Sequence, residues 1–171
     1  MKFKLTVFTM LLVVSVVAGA SAKTLKFPKK HPEFSITFPN DWKAEITDAG
    51  IISAQPKGAA YAISIFPVQA TTASGAIEET LKEVENRFTD VKQGDPVEFR
   101  NENGVKFLES DLTAKDKGSP RALAIVAFAV EKESYFALFQ AGTPEADKQY
   151  TEAVIGIVKS ITPSDSKGSR N

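Results

Sequence analysis

This sequence contains no cysteine and one histidine, His31. The missing thiols exclude disulfide staples, cysteine nucleophiles, thiolate zinc sites and the lipidated cysteine that anchors bacterial lipoproteins. With a single imidazole, beside Pro32, a Ser–His–acid or Cys–His relay would have to recruit a residue on an N-terminal arm. GxSxG, GxxxxGK[ST] and GxGxxG are also absent, so no nucleophile elbow and no cradle for phosphate or dinucleotide is encoded. Charge of either sign is not in excess: 21 basic residues balance 21 acidic ones. Nucleic-acid binders carry a basic surplus, so that class of partner is set aside. No catalytic residue, cofactor or metal is expected.

One long apolar run is present. MKFK supplies two lysines, LTVFTMLLVVSVVAGA carries no charge, and small residues close the segment at Ala22. Basic start, apolar middle and small-residue exit are what the secretory machinery reads, so residues 1–22 are expected to be a signal peptide and the protein periplasmic or secreted. No transmembrane segment is expected after cleavage. The remainder has the size of one domain, residues 23–162, which must stand on packing alone. The polar stretch 163–171, PSDSKGSRN, reads as a disordered tail.

Only KTLKFPKKH concentrates positive charge. Lys23, Lys26, Lys29 and Lys30 there are expected either as a basic arm touching an anionic lipid or protein surface, or as a solvated terminus.

Periodicity places the elements. In FSITF, Phe34, Ile36 and Phe38 alternate with Ser35 and Thr37, the pattern of a half-buried strand. Pro39 stops the ladder, Asn40 and Asp41 turn, and WKAEI resumes with Trp42, Ala44 and Ile46 in phase. GIISAQ and AAYAISIFPV follow around Pro56-Lys57-Gly58. Ile77, Leu81, Val84, Phe88 and Val91 then recur at helical steps, which predicts a helix over 74–92 capped by Ser74 and ended by Gly94. Glu78–Lys82 and Glu83–Arg87 suit it as ion pairs. Asn103-Gly104 predicts a hairpin and Asp116-Lys117-Gly118 another turn. RALAIVAFAV and SYFALFQA are apolar on both faces and so must be covered twice. A closing helix starts at Thr143-Pro144 with a stripe from Ala146 to Ile161. Four strands, a helix, four strands and a helix amount to an α+β fold: a three-layer α/β/α sandwich with a largely antiparallel sheet.

Three groups of residues raise chemical questions. NENG places Asn101, Asn103 and Gly104 in phase with a calcium loop, but Phe99 and Ser110 occupy its first and last ligand positions. Glu109, Asp111 and Asp116 are carboxylates near a turn, and Glu109 and Asp111 share one strand face. Such a pair can work as acid and base on a sugar bond or can guard a sheet edge beside Lys106 and Lys115. Trp42 is either an exposed platform for a ligand or the filling of a corner; its phase with Ala44 and Ile46 favours burial.

FSITFPNDW is similar to the opening of PsbP-like domains, where a (Y/F)-S-(F/I)-x-(Y/F)-P-x-x-W segment recurs. IVKSITP is similar to the end of that family's last helix. The chain thus resembles the PsbP-like family over about residues 27–163. The resemblance implies an α/β/α sandwich used for docking to partners rather than for catalysis. The chain departs from the pattern in lacking the long N-terminal segment and the histidine usage tied to photosynthetic binding. The leading expectation is a non-enzymatic exported domain binding another envelope protein as an assembly or accessory factor. A carrier with a small-ligand or lipid pocket between sheet and helix is the alternative. An acid/base hydrolase, with two carboxyl groups across a cleft, comes third.

Overall fold

Alternating apolar residues in FSITF make a strand whose whole inner face is aromatic or branched, and the rest of one layer assembles around it. The computed structural model describes residues 22–130 and 134–164. Apart from Ala22, the segment expected to direct export lies outside them, as does the tail beyond Ser164. The first half holds β1 (Lys23–Phe27), β2 (Phe34–Phe38), β3 (Trp42–Ile46), β4 (Ile52–Pro56), β5 (Tyr61–Val68) and α1 (Ala73–Arg87). The second holds β6 (Thr89–Gln93), β7 (Val97–Arg100), β8 (Lys106–Asp116), β9 (Ser119–Ala129), β10 (Tyr135–Gly142), α2 (Pro144–Lys159) and β11 (Thr162–Pro163). The fold is α+β, and each strand pairing is antiparallel.

Two sheets form. The larger has eight strands, in the order β3-β4-β5-β10-β9-β8-β6 with β7 also on β8, and the smaller has the order β1-β2-β11. Central strands β9 and β10 are apolar on both faces, as expected. On one face Leu123, Ile125, Ala127 and Ala137 pack with Ala76, Ile77 and Val84 of α1. On the other, Val126, Phe128, Phe136 and Leu138 pack with Val154, Ile157 and Val158 of α2. That second face is not covered by a helix alone. The small sheet joins α2 there, bringing Phe27, Phe34, Ile36 and Phe38 into the same cluster. Phe34 meets Phe128 and Phe136 edge-on, with ring centres 5.3 and 5.0 Å away, and tilts against Phe27 at 5.6 Å.

Trp42 is buried at 4 % exposure, with its ring edge-on to Tyr61 and Tyr150. The F-P-x-x-W segment is therefore a corner and not an exposed platform.

Four local expectations are corrected. Residues 23–27 are a strand paired along its length with β2, not a free arm. The first helix stops at Arg87, because Phe88 is already extended and Thr89 pairs with Lys115 of β8. Phe88 and Val91 kept helical spacing by coincidence; Asp90, at φ 53°, breaks the register and salt-links to Lys115 at 2.8 Å. The cap is Thr72, whose hydroxyl accepts from the Gly75 amide at 3.0 Å, and not Ser74. Ordered chain also runs past 162: Pro163 pairs with Phe34, and the Ser164 amide donates to the Glu33 carbonyl at 2.7 Å.

Cutting Phe34 back to alanine removes a ring held between three others, so unfolding free energy should fall by about 3–5 kcal/mol. Urea denaturation followed by tryptophan fluorescence measures it, and a loss under about 1 kcal/mol would contradict this account of the core.

Candidate binding cleft beside the second helix

Asn101 shows how the cleft is built. It follows β7 and is buried, and its side-chain oxygen accepts from the Asn103 and Val105 amides, each at 3.1 Å. Its side-chain nitrogen donates to the Ile161 carbonyl at 2.8 Å, and Asn103 reaches the same carbonyl at 3.0 Å. The hairpin tip therefore holds the carbonyls beyond the C-terminus of α2, which the helix itself leaves unpaired. Gly104 turns the tip at φ +82°, a conformation that a side chain disfavours. The asparagines that suggested a calcium loop are spent on this clamp.

Clamped at that end, α2 and the β7–β8 hairpin enclose a cleft of about 400 Å³. Phe99, Val154 and Val158 give it apolar walls, Arg100, Glu102 and Lys159 stand around it, and Glu109 lines it as well. Phe99 is held in place by stacking on Phe107 at 4.9 Å.

Glu109 links the cleft to a group of polar residues farther along the helix. It shares its face of β8 with Phe107 and Asp111, the side on which α2 packs. Burial pushes the Glu109 carboxyl upward, and the charges of Asp111 and Asp147 add to the effect. Asp147 is in the first turn of α2, where the helix dipole favours a carboxylate. Its pKa is nonetheless raised, by burial and then by the charge of Asp111. Tyr61 is 3 % exposed, and its hydroxyl is buried without a hydrogen-bond partner. Burial raises it strongly, with contributions from Asp147 and Glu109. The side-chain oxygen of Gln140, at 8 % exposure, is likewise unpartnered. Cross-strand register sets Gln140 opposite Ala124 and Ala124 opposite Asp111, so only a small residue separates the two. Tyr61 lies over Gly142, where an added Cβ would sit 2.3 Å from its ring.

The carboxylate pair seen in the sequence thus becomes a trio across two elements. The third, Asp147, like Tyr61 and Gln140, carried no sequence signal. Asp116, the remaining candidate, pairs with Arg121 at 3.1 Å instead. Glu109 and Asp147 are both driven up, and both by burial together with Asp111. Among the described residues no cluster of His, Asp and Glu is disposed to hold a metal ion.

The four lysines do not converge on the cleft. Lys23 donates to the Ala44 carbonyl, tying β1 to β3. Lys23 and Lys26 have opposite strand parity, and Lys29 and Lys30 are exposed in the turn before β2. No helix among the described residues is long and apolar enough to cross a membrane.

No known family's sequence profile matches the chain, and no curated protein matches it. Solved structures do. Cyanobacterial PsbP (CyanoP) from Synechocystis superposes with a TM-score of 0.62 at 10 % identity, covering 90 % of this chain and 99 % of that one. LpqN of Mycobacterium tuberculosis, involved in cell envelope biogenesis, gives 0.57 at 14 %, covering 84 % and 91 %. A Pseudomonas aeruginosa protein of unknown function gives 0.55 at 12 %, covering 85 % and 99 %. The chain has the PsbP-like fold.

A carboxyl raised by folding costs stability once ionised, and the cost disappears as pH falls below its unfolded value. Glu109→Gln should therefore raise the melting temperature near pH 7. The gain should shrink through the acid range and vanish by about pH 4. Thermal unfolding by circular dichroism checks this; a variant less stable at neutral pH would contradict it.

Proposed function

We propose that this protein is an exported, non-enzymatic docking domain that engages another cell-envelope protein through the cleft beside α2, as an assembly or accessory factor. One observation carries the reading. The exposed large hydrophobic residues among those described are Val97, at 60 %, and Ile155, at 41 %; Ile155 lines this cleft and Val97 is on the adjoining strand β7. Val97 is opposite Glu109 and two residues from Phe99 on the same strand face. Single exposed hydrophobics are ordinary, but two on neighbouring elements beside a concave, charge-rimmed surface have the anatomy of an interface.

Other features support the setting. The basic-then-apolar opening reads as an export signal, and LpqN, which shares the fold, is involved in envelope biogenesis. Fold alone does not carry function, so the weight rests on the cleft. In the proposed three-layer α/β/α arrangement, α1 covers one face of the large sheet while α2 and the small sheet cover the other. The flank of α2 that faces β7 is then left free for a partner.

A carrier for a small apolar ligand is the second reading, favoured by the apolar walls of the cleft. Phe128, Phe136, Leu138 and Ile157 fill the space between sheet and helix behind it, and the hollow is a surface cleft suited to a side chain of a partner. Lys23, Lys26, Lys29 and Lys30 are proposed as a secondary contact with an anionic protein or lipid surface.

Photo-crosslinking tests the docking surface. A benzophenone side chain at position 155 should form polypeptide adducts in envelope preparations, while one at Glu85 should form none. Equal labelling at both sites, or adducts of lipid mass alone, would defeat the proposal. Exchanging Lys29 and Lys30 for glutamine should lower the yield at position 155 without removing it; an unchanged yield would release the lysines from any role.

A further inference from the structure

Strand β7 lies at a margin of the large sheet, and among the described residues it pairs with β8 and with no other strand. Its register and the hairpin tip fix which main-chain groups face outward. The Asn101 amide donates to the Val105 carbonyl, and these two residues are opposite each other when the β7–β8 register is continued. Bonded and non-bonded pairs alternate along an antiparallel ladder, so Val97 and Phe99 turn their main-chain groups to β8. The amides and carbonyls of Glu98 and Arg100 point away from it. Open hollows flank the strand: the cleft beside α2, and a second of about 600 Å³ lined in part by Glu98, Arg100, Lys106 and Leu108. Elsewhere the margins of this sheet are guarded. β6 is interrupted by a register shift between Thr89 and Lys92, and on β3 the Ala44 carbonyl is taken by Lys23. β7 keeps an even register over its four residues, and it carries the exposed Val97. Sheet edges that are not meant to pair are usually blunted.

We propose that β7 pairs with β7 of a second copy of this chain, antiparallel about a two-fold axis at Phe99. The strand sequence VEFR is complementary to itself in that register. Pairing centred on Phe99 sets Glu98 opposite Arg100 of the second copy, and Arg100 opposite Glu98 of the second copy. The outward main-chain groups then meet as two bonded pairs and exchange four hydrogen bonds. Each bonded pair also joins opposite charges, a favourable cross-strand combination. Phe99 meets Phe99 of the second copy in the closer, non-bonded position between them. Val97 is diagonal to that ring and within its reach, so the exposed side chain gains cover. A slip of two residues would keep the bonding parity but would set Glu98 against Glu98 or Arg100 against Arg100, and like charges directly opposite are destabilising. The contact is isologous, the form that closes a dimer. The large sheet runs unbroken through both copies, with the two clefts beside α2 on the same face. The inference goes beyond the docking reading: the seam uses the edge of β7, and Ile155 and the helical wall of the cleft are left for an envelope partner.

A seam this short belongs at the weak end of interfaces, so association is followed by sedimentation velocity up to about 1 mM protein. The parent should dimerise reversibly within that range. Glu98→Arg and Arg100→Glu, each alone, set like charges opposite one another and should weaken self-association at least about tenfold. Mixed in equal amounts, these two variants should associate with each other, and the Glu98→Arg/Arg100→Glu double variant should regain the parent's dimer. Register has a separate readout, because the chain contains no cysteine. The Cα atoms of a non-bonded antiparallel pair are about 4.5 Å apart, within the span of a disulfide. Phe99→Cys should therefore link two copies on oxidation, while Val97→Cys, at a more exposed position but out of register, should not. A parent that stays monomeric at the highest concentration, single charge variants that associate as the parent does, or a mixture or double variant no stronger than the singles would overturn the proposal. Linkage through Val97→Cys as fast as through Phe99→Cys would overturn it too.

Discussion

Phe128 and Phe136 stand on one face of the central strands and Ile125 and Ala137 on the other, so both sides of the large sheet must be shielded from water. With no disulfide to constrain the unfolded chain, this two-sided burial is the main source of cohesion. It requires cover on each face, and the two covers are unequal. One is α1 alone. The other is α2 together with a small sheet whose strand β2 inserts Phe34 against both central rings. The tie between α2 and β2 is explicit: the Thr37 amide donates to the Ser160 hydroxyl at 2.9 Å.

The cleft follows from that geometry. With β6 and β7 end to end along β8, the large sheet is seven strands wide, roughly 30 Å at their usual spacing, while a helix with its side chains covers about 10–12 Å and a three-stranded sheet about as much again. Some of the α2 face is bound to be left under an overhang, and it lies at β8 and β7. Polar residues tolerated at a sheet margin end up there, partly buried beneath the helix. The same arrangement accounts for why Glu109 and Asp147 are raised together.

Much of this was legible in the sequence. The alternation in FSITF and WKAEI, the Asn103-Gly104 and Asp116-Lys117-Gly118 turns, the Thr143-Pro144 cap and the two-faced apolar strands all appear where periodicity and turn chemistry set them. Misreadings arose where a distant partner outweighed a local pattern. Val91 continued a helical stripe, yet β8 claimed Thr89–Gln93 as a strand. The lysine-rich opening read as an arm, yet β2 offered it a full ladder. Glu109 and Asp111 were visible as a pair because strand parity is a local property; Asp147 was invisible because its approach to them depends on where a helix lands.

The sequence by itself determined the element types, the antiparallel habit of the sheet and the burial of the lone tryptophan, because these depend on periodicity and turn residues within short stretches of chain. Tertiary structure alone decided which strands joined a second sheet, where α1 gave way to β6, and which acid came to line the cleft. Those outcomes turn on the relative placement of segments well separated along the chain, and side-chain pattern within one segment carries no measure of where another will land.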